Sequence, residues 1–165
     1  MGNFEEILSD HLFDIEDLNR DFSLQIGDNP IIVEKFRPRV SYDLLFYGKD
    51  SKICFSSPNF LKEDFHIYFQ NMIEVSKTTL GDLMNGNTLL DFKIYPSVNR
   101  KLKEIFFSVM GTRARAESIP AFGRIGLYNS ENGKGKAPRI FFVVGHYATL
   151  HIIACDPEHD IYDGS

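Results

Sequence analysis

Pro138-Arg-Ile-Phe-Phe-Val-Val-Gly145 and Thr149-Leu-His-Ile-Ile-Ala-Cys155, separated only by His146-Tyr-Ala148, decide how this chain folds. β-Branched and aromatic residues dominate both runs, which are the strongest strand candidates present. Ile140–Val144 shows no polar alternation, so both of its faces must be covered, and the pair is expected at the centre of a sheet. A connection this tight joins only antiparallel neighbours.

Outward from this hairpin the pattern alternates between the two periods. Arg124–Tyr128 reads as a strand, and Asn129-Ser-Glu-Asn-Gly-Lys-Gly-Lys136 has the composition of a mobile hairpin loop. Val98–Met110 carries Val98, Leu102, Ile105, Phe106 and Val109 at helical spacing, with Ser97 as its N-cap and Gly111 as its stop. Asp91–Tyr95 reads as a short strand ended by Pro96. Lys77-Thr-Thr-Leu80 opens a short helix capped by Thr78 or Thr79 and closed by Asn85-Gly86-Asn87. Between Asn59 and Val75, residues Phe60, Leu61, Phe65, Tyr68, Phe69, Met72, Ile73 and Val75 form a wide apolar stripe that predicts a core helix. Further upstream, Phe22–Ile26, Ile31–Phe36, Val40–Tyr47 and Lys52–Ser56 read as strands, the last three as an antiparallel meander because the turns between them are short. Asn3 and Glu6 have the form of a capping box for an amphipathic helix over 3–19 that presents Phe4, Ile7, Leu8, Leu12, Ile15 and Leu18.

The expectation is one α+β domain over 1–165: an antiparallel or mixed sheet of about six or seven strands, packed against three helices near 3–19, 60–75 and 97–110. Residues 1–96 supply the first helix, the meander and the second helix, and 97–163 the third helix and the C-terminal strands. At 165 residues the chain is long enough to bury a core without a disulfide framework or a structural metal. Cys54 and Cys155 lie in apolar runs and no CxxC exists, so both are expected as buried thiols. No run reaches the roughly 18 apolar residues of a membrane span, and the acidic start lacks the form of a signal peptide. No membrane association and a cytoplasmic location are therefore expected.

Charge is divided along the chain. The net charge is -5, yet residues 1–34 hold nine acids and one base, residues 93–139 hold ten bases and three acids, and 156–163 add four acids. The basic block comprises Lys93, Arg100, Lys101, Lys103, Arg113, Arg115, Arg124, Lys134, Lys136 and Arg139. Such a density suits a phosphate-binding surface that contacts RNA. The alternative is a set of solvated positions that pair with the acidic N-terminal helix.

Histidine leads the search for chemistry, since its ordinary pKa suits proton transfer near neutrality. His146, His151 and His159 fall close together and, with Asp156, are a candidate metal site of N and O ligands; His151 also fits a satisfied core imidazole. No nucleophile elbow, nucleotide fingerprint or activated cysteine is present, so no cofactor is indicated. The carboxylates of Asp156-Pro-Glu-His-Asp-Ile-Tyr-Asp163 suit a solvated tail. A metal-independent RNA cleavage site needs a proton acceptor, a proton donor and cations for the phosphate. Arg124, Arg139, His159 and Tyr162 lie at ends or edges of the C-terminal strands and can fill these roles, while Tyr162 can equally anchor the terminus by packing its ring.

The order of the helix Val98–Met110, a strand, the Arg-led strand Pro138-Arg-Ile-Phe-Phe-Val143, a turn, the strand Leu150–Cys155 and the terminal His159-Asp-Ile-Tyr162 resembles the C-terminal half of RelE/ParE-like toxins of bacterial toxin–antitoxin modules. The resemblance covers roughly 97–163. It implies a small antiparallel sheet packed on helices and, for the ribonuclease members, mRNA cleavage by basic residues and often a C-terminal tyrosine. Arg139 then matches the arginine that opens the penultimate strand, His159 a basic residue near the end, and Tyr162 the terminal tyrosine. The chain departs from the family in its additional N-terminal half, its acidic total charge and its carboxylate-rich tail. The resemblance implies RNA and an antitoxin-like protein as partners. A non-enzymatic interaction module, binding a partner or a second copy of itself through its acidic and basic patches, is the rival expectation. A small metal-dependent hydrolase using the C-terminal histidines is the third.

Overall fold

The computed structural model describes residues 35–48, 52–95, 97, 99–111, 120–128 and 137–161. The helix expected over 3–19 and the strand over 22–26 lie outside them, as does most of 31–36. β4 (Arg139–Val144) and β5 (Thr149–Asp156) pair antiparallel around the turn His146–Ala148. Tyr147 and Ala148 both adopt left-handed backbone there, at φ 53° and 59°. That handedness matches the twist of the strands it joins. β3 (Phe122–Gly126) pairs antiparallel with β4, and β2 (Asp91–Ile94) antiparallel with β3. β1 (Arg39–Ser41) closes the other edge, giving the order β1-β5-β4-β3-β2.

β4 is thus the middle strand, as its unbroken apolar run requires. Ile140, Phe142 and Val144 point to one face and Phe141 and Val143 to the other, and all five are inaccessible to solvent. On the first face lie α1 (Lys62–Lys77), through Tyr68, Met72 and Val75, and Leu83 of α2 (Leu80–Met84). On the second lies α3 (Arg100–Met110), through Leu102, Ile105, Phe106 and Met110. Each layer buries one stripe of a helix against one face of the sheet. A bulge in β5 opposite Phe141 and Phe142 puts Ile153 and Ala154 together on the α3 face, so the residues beyond it change sides.

The described residues form a mixed sheet of five strands; of the further strands expected, Phe22–Ile26 lies outside them and Ile31–Phe36 mostly so. Other expectations need correction. β1 runs parallel to β5, with Val40 opposite Leu150, and among the described residues it has no antiparallel neighbour. Short turns argued for local pairing, but the partner comes from the far end of the chain. Lys52–Ser56 is bends and turn rather than strand; Cys54 is buried beside Ser56 and the Gly48 carbonyl. Finally, the stripe read as core on α1 is divided: Leu61, Phe65, Phe69 and Ile73 are exposed while Tyr68, Met72 and Val75 are buried.

The helix ends follow local chemistry. Thr79 caps α2 by accepting from the Asp82 N–H. Asn99, rather than Ser97, caps α3, accepting from the Leu102 N–H at 2.8 Å. Asp64 opens α1 by accepting from the Leu61 N–H, and its other oxygen accepts from the Tyr128 hydroxyl at 2.7 Å. Both cysteines are buried free thiols. Among the described residues no helix is long and apolar enough to cross a membrane.

Candidate functional site

The alternation of β2, β3 and β4 puts Lys93, Arg124 and Arg139 on the sheet face that carries α3. Arg124 stands opposite Phe141 and Lys93 opposite Arg124, while Arg139 stands opposite Gly126. Arg124 and Arg139 are therefore diagonal cross-strand neighbours, about 7–8 Å apart at the backbone. Like charges placed directly opposite one another, as Lys93 and Arg124 are, oppose strand pairing. Two contacts relieve them here. Asp91 pairs with the Arg124 guanidinium, and the Lys93 ammonium lies over the Tyr95 ring, 5.8 Å from its centroid.

Glycine makes the first contact sterically available. A Cβ on Gly126, directly opposite Asp91, would collide with the Asp91 carboxylate. The Arg124 side chain keeps 18% of its accessible surface and that of Asp91 39%, so the pair is screened but reachable.

The basic residues of α3 stand on the same side of the sheet. Arg100 pairs with Glu104 one turn on, at 2.8 Å, with both side chains mostly in water. Lys101 donates to the Asp160 carbonyl at 2.9 Å, and Lys103 lies over the Phe107 ring at 5.9 Å. Arg113, Arg115, Lys134, Lys136 and Tyr162 lie outside the described residues.

His159 lies at the end of the sheet where β4 begins, since Arg139 is opposite Asp156 and His159 follows Asp156 by three residues. Its backbone is left-handed, at φ 64°, and its Nε2 is bonded to the Ala137 carbonyl. A carbonyl only accepts, so Nε2 carries a proton, and in the neutral ring Nδ1 is the basic atom.

Asp156 is fully buried, which corrects its reading as part of a solvated tail. Its two oxygens accept from the Asp160 N–H at 2.9 Å and the Ile161 N–H at 2.8 Å. Burial pushes its pKa above the ordinary carboxylate value, against the opposing pull of those two N–H groups and of nearby His159. Asn99 donates to the Ile161 carbonyl at 2.7 Å, so the last described turn is tied to the start of α3.

His151 does not share a site with Asp156 and His159. His151 is near the opposite end of β5, about 16 Å from Asp156 along the strand. Its Nδ1 is 2.7 Å from Asp43 Oδ1, and Asp43 also accepts from Ser41 Oγ at 2.6 Å. Partial burial would raise Asp43, but the Ser41 and His151 hydrogen bonds and the imidazole charge outweigh it and hold its pKa below the usual value. Of His146 only the backbone is described. Among the described residues no three His, Cys, Asp or Glu side chains are grouped so as to hold a metal ion.

Sequence reasoning missed Asp43 and Asp91. Asp43 follows β1 and Asp91 opens β2, and the partner of each, His151 or Arg124, lies well downstream in the chain, so no local spacing could reveal it.

Two clefts lie beside α1. A cleft of about 350 Å³ is lined by Gln70, Asn71, Glu74, Leu89, Leu90, Asp91, Gly126 and Leu127, and a more open one of about 600 Å³ by Lys62, Glu63, His66, Ile67 and Tyr128. Neither contains Arg124, Arg139 or His159. No family model, curated protein or solved structure matches this chain.

Proposed function

We propose that the protein is an RNA-directed protein of the bacterial toxin type, acting as a metal-independent endoribonuclease on the α3 face of its sheet. The observation that carries this reading is the juxtaposition of Lys93, Arg124 and Arg139 on one face. Three cations on adjacent strands are unfavourable without anions between them, and a phosphodiester relieves them as Asp91 does for one. Arg124 and Arg139 bind the scissile phosphate and stabilise the charge that develops on it. Arg100, Lys101 and Lys103 extend the contact along the backbone of the RNA. His159, oriented by its bond to Ala137, accepts the 2′-hydroxyl proton at Nδ1, and Tyr162 protonates the leaving 5′-oxygen.

The test is binding and cleavage of a single-stranded RNA by the full chain. Arg139→Ala should lower the slope of log affinity against log salt by about 0.7, the share of one neutralised phosphate. His159→Ala and Tyr162→Phe should each abolish cleavage while binding persists. An RNA that fails to bind at low salt, or variants that cleave as the wild type does, would overturn the reading.

A further inference from the structure

The outer surface of α1 carries Leu61, Phe65, Phe69 and Ile73, which retain 48, 36, 58 and 53% of their accessible surface. They recur every four residues, Leu61 as the N-cap, and so form one stripe about 18 Å long beside the stripe that packs on the sheet. A continuous apolar stripe of this kind marks a surface that another element covers.

We infer that residues 3–19 of the same chain dock on this stripe. That segment lies outside the described residues and carries Phe4, Leu8, Leu12 and Ile15 at nearly the same spacing, with Ile7 and Leu18 beside them. As a helix it presents an apolar edge about 21 Å long, which matches the stripe in length and period.

The point of attachment selects this occupant over a second copy. The Phe36 carbonyl accepts from the Leu80 N–H at 2.9 Å, which holds the chain next to the C-terminal end of α1. From there residues 20–34 span up to about 50 Å when extended, twice the length of α1, so either orientation of the docked segment is reachable. A tether of this length holds the segment at an effective concentration in the millimolar range. A second copy or an antitoxin-like protein competes from its own, lower concentration. Docking then places the acidic segment on the α1 face, away from Lys93, Arg124 and Arg139, and leaves the basic face open.

Amide hydrogen exchange on the full chain tests this. Residues 3–19 should exchange at least about ten-fold more slowly than the same sequence as a free peptide. Phe69→Glu and the double variant Leu8→Glu/Leu12→Glu should each remove that protection, with β4 and β5 still protected as the control for folding. Exchange in 3–19 as fast as in the free peptide would overturn the inference, as would protection that survives Phe69→Glu. Protection that appears only as the chain dimerises, by light scattering, would assign the stripe to a second copy and overturn it equally.

Discussion

The two ends of β5 each have a carboxylate and an imidazole nearby, with opposite outcomes. Near its start, His151 and Asp43 meet side chain to side chain, with half of the Asp43 surface in water. At its end, Asp156 is buried and spends both oxygens on backbone N–H groups, while His159 spends Nε2 on a backbone carbonyl. The first arrangement joins two elements through a side-chain hydrogen bond. The second holds the shape of a turn, because a buried carboxylate that lost either N–H would remain both desolvated and unpaired. Polar residues at equivalent ends of one strand therefore have unequal consequences, and three perturbations measure the inequality.

The largest effect is expected at the buried end. Asp156→Ala leaves the Asp160 and Ile161 N–H groups without their acceptor and should cost about 3 kcal/mol in urea denaturation. A loss below about 1 kcal/mol would mean that the turn does not depend on this carboxylate.

Next comes Gly145→Ala at the other end. A Cβ there would sit 2.5 Å from His151 Nε2, so the imidazole must turn away from Asp43. The expected cost is about 2 kcal/mol, accompanied by loss of the Asp43–His151 coupling in NMR titration. Retention of that coupling would show that the strand shifts instead of the ring.

The smallest effect separates the ends by sign. The pKa of Asp43 is lowered from 3.8 by its partners, so its stabilisation is present above 3.8 and is lost as pH falls through the folded value. That of Asp156 is raised from 3.8 by burial, so its contribution is full below 3.8 and is lost as pH rises through the folded value. Asp43→Asn should flatten the acid limb of the stability profile, and Asp156→Asn should remove a decline that begins as pH climbs past it. Urea midpoints between about pH 3 and pH 7 show both changes. Slopes of the same sign in the two variants would contradict the contrast.

Local readings of the sequence succeeded where the determinants are local. The strand read at Asp91–Tyr95 and the β4–β5 hairpin form as their composition predicts, the strand read at Arg124–Tyr128 forms two residues earlier as Phe122–Gly126, and Thr79 caps α2 by its own hydroxyl. Local readings failed where the partner is distant. Arg39–Ser41 pairs with β5 across more than a hundred residues, which no turn length announces. On α1, the exposed Phe65 and Phe69 are at least as apolar as the buried Tyr68 and Met72, so composition could not say which half of a wide stripe meets the sheet. The candidate site was legible to a similar depth. Arg124 and Arg139 were singled out from the basic block, but their common face follows from strand register, as does the placing of Asp91 against Arg124.

The sequence by itself determined the α+β class, the central place of Ile140–Val144, the buried thiols and the division of charge. These follow from periodicity and composition, which act over a few residues. Only the tertiary structure decided that β1 runs parallel to β5, that His151 belongs with Asp43 and not with His159, and that Asp156 is buried. Each depends on which distant segment fills the space beside a residue, and that is settled by packing the whole sheet at once.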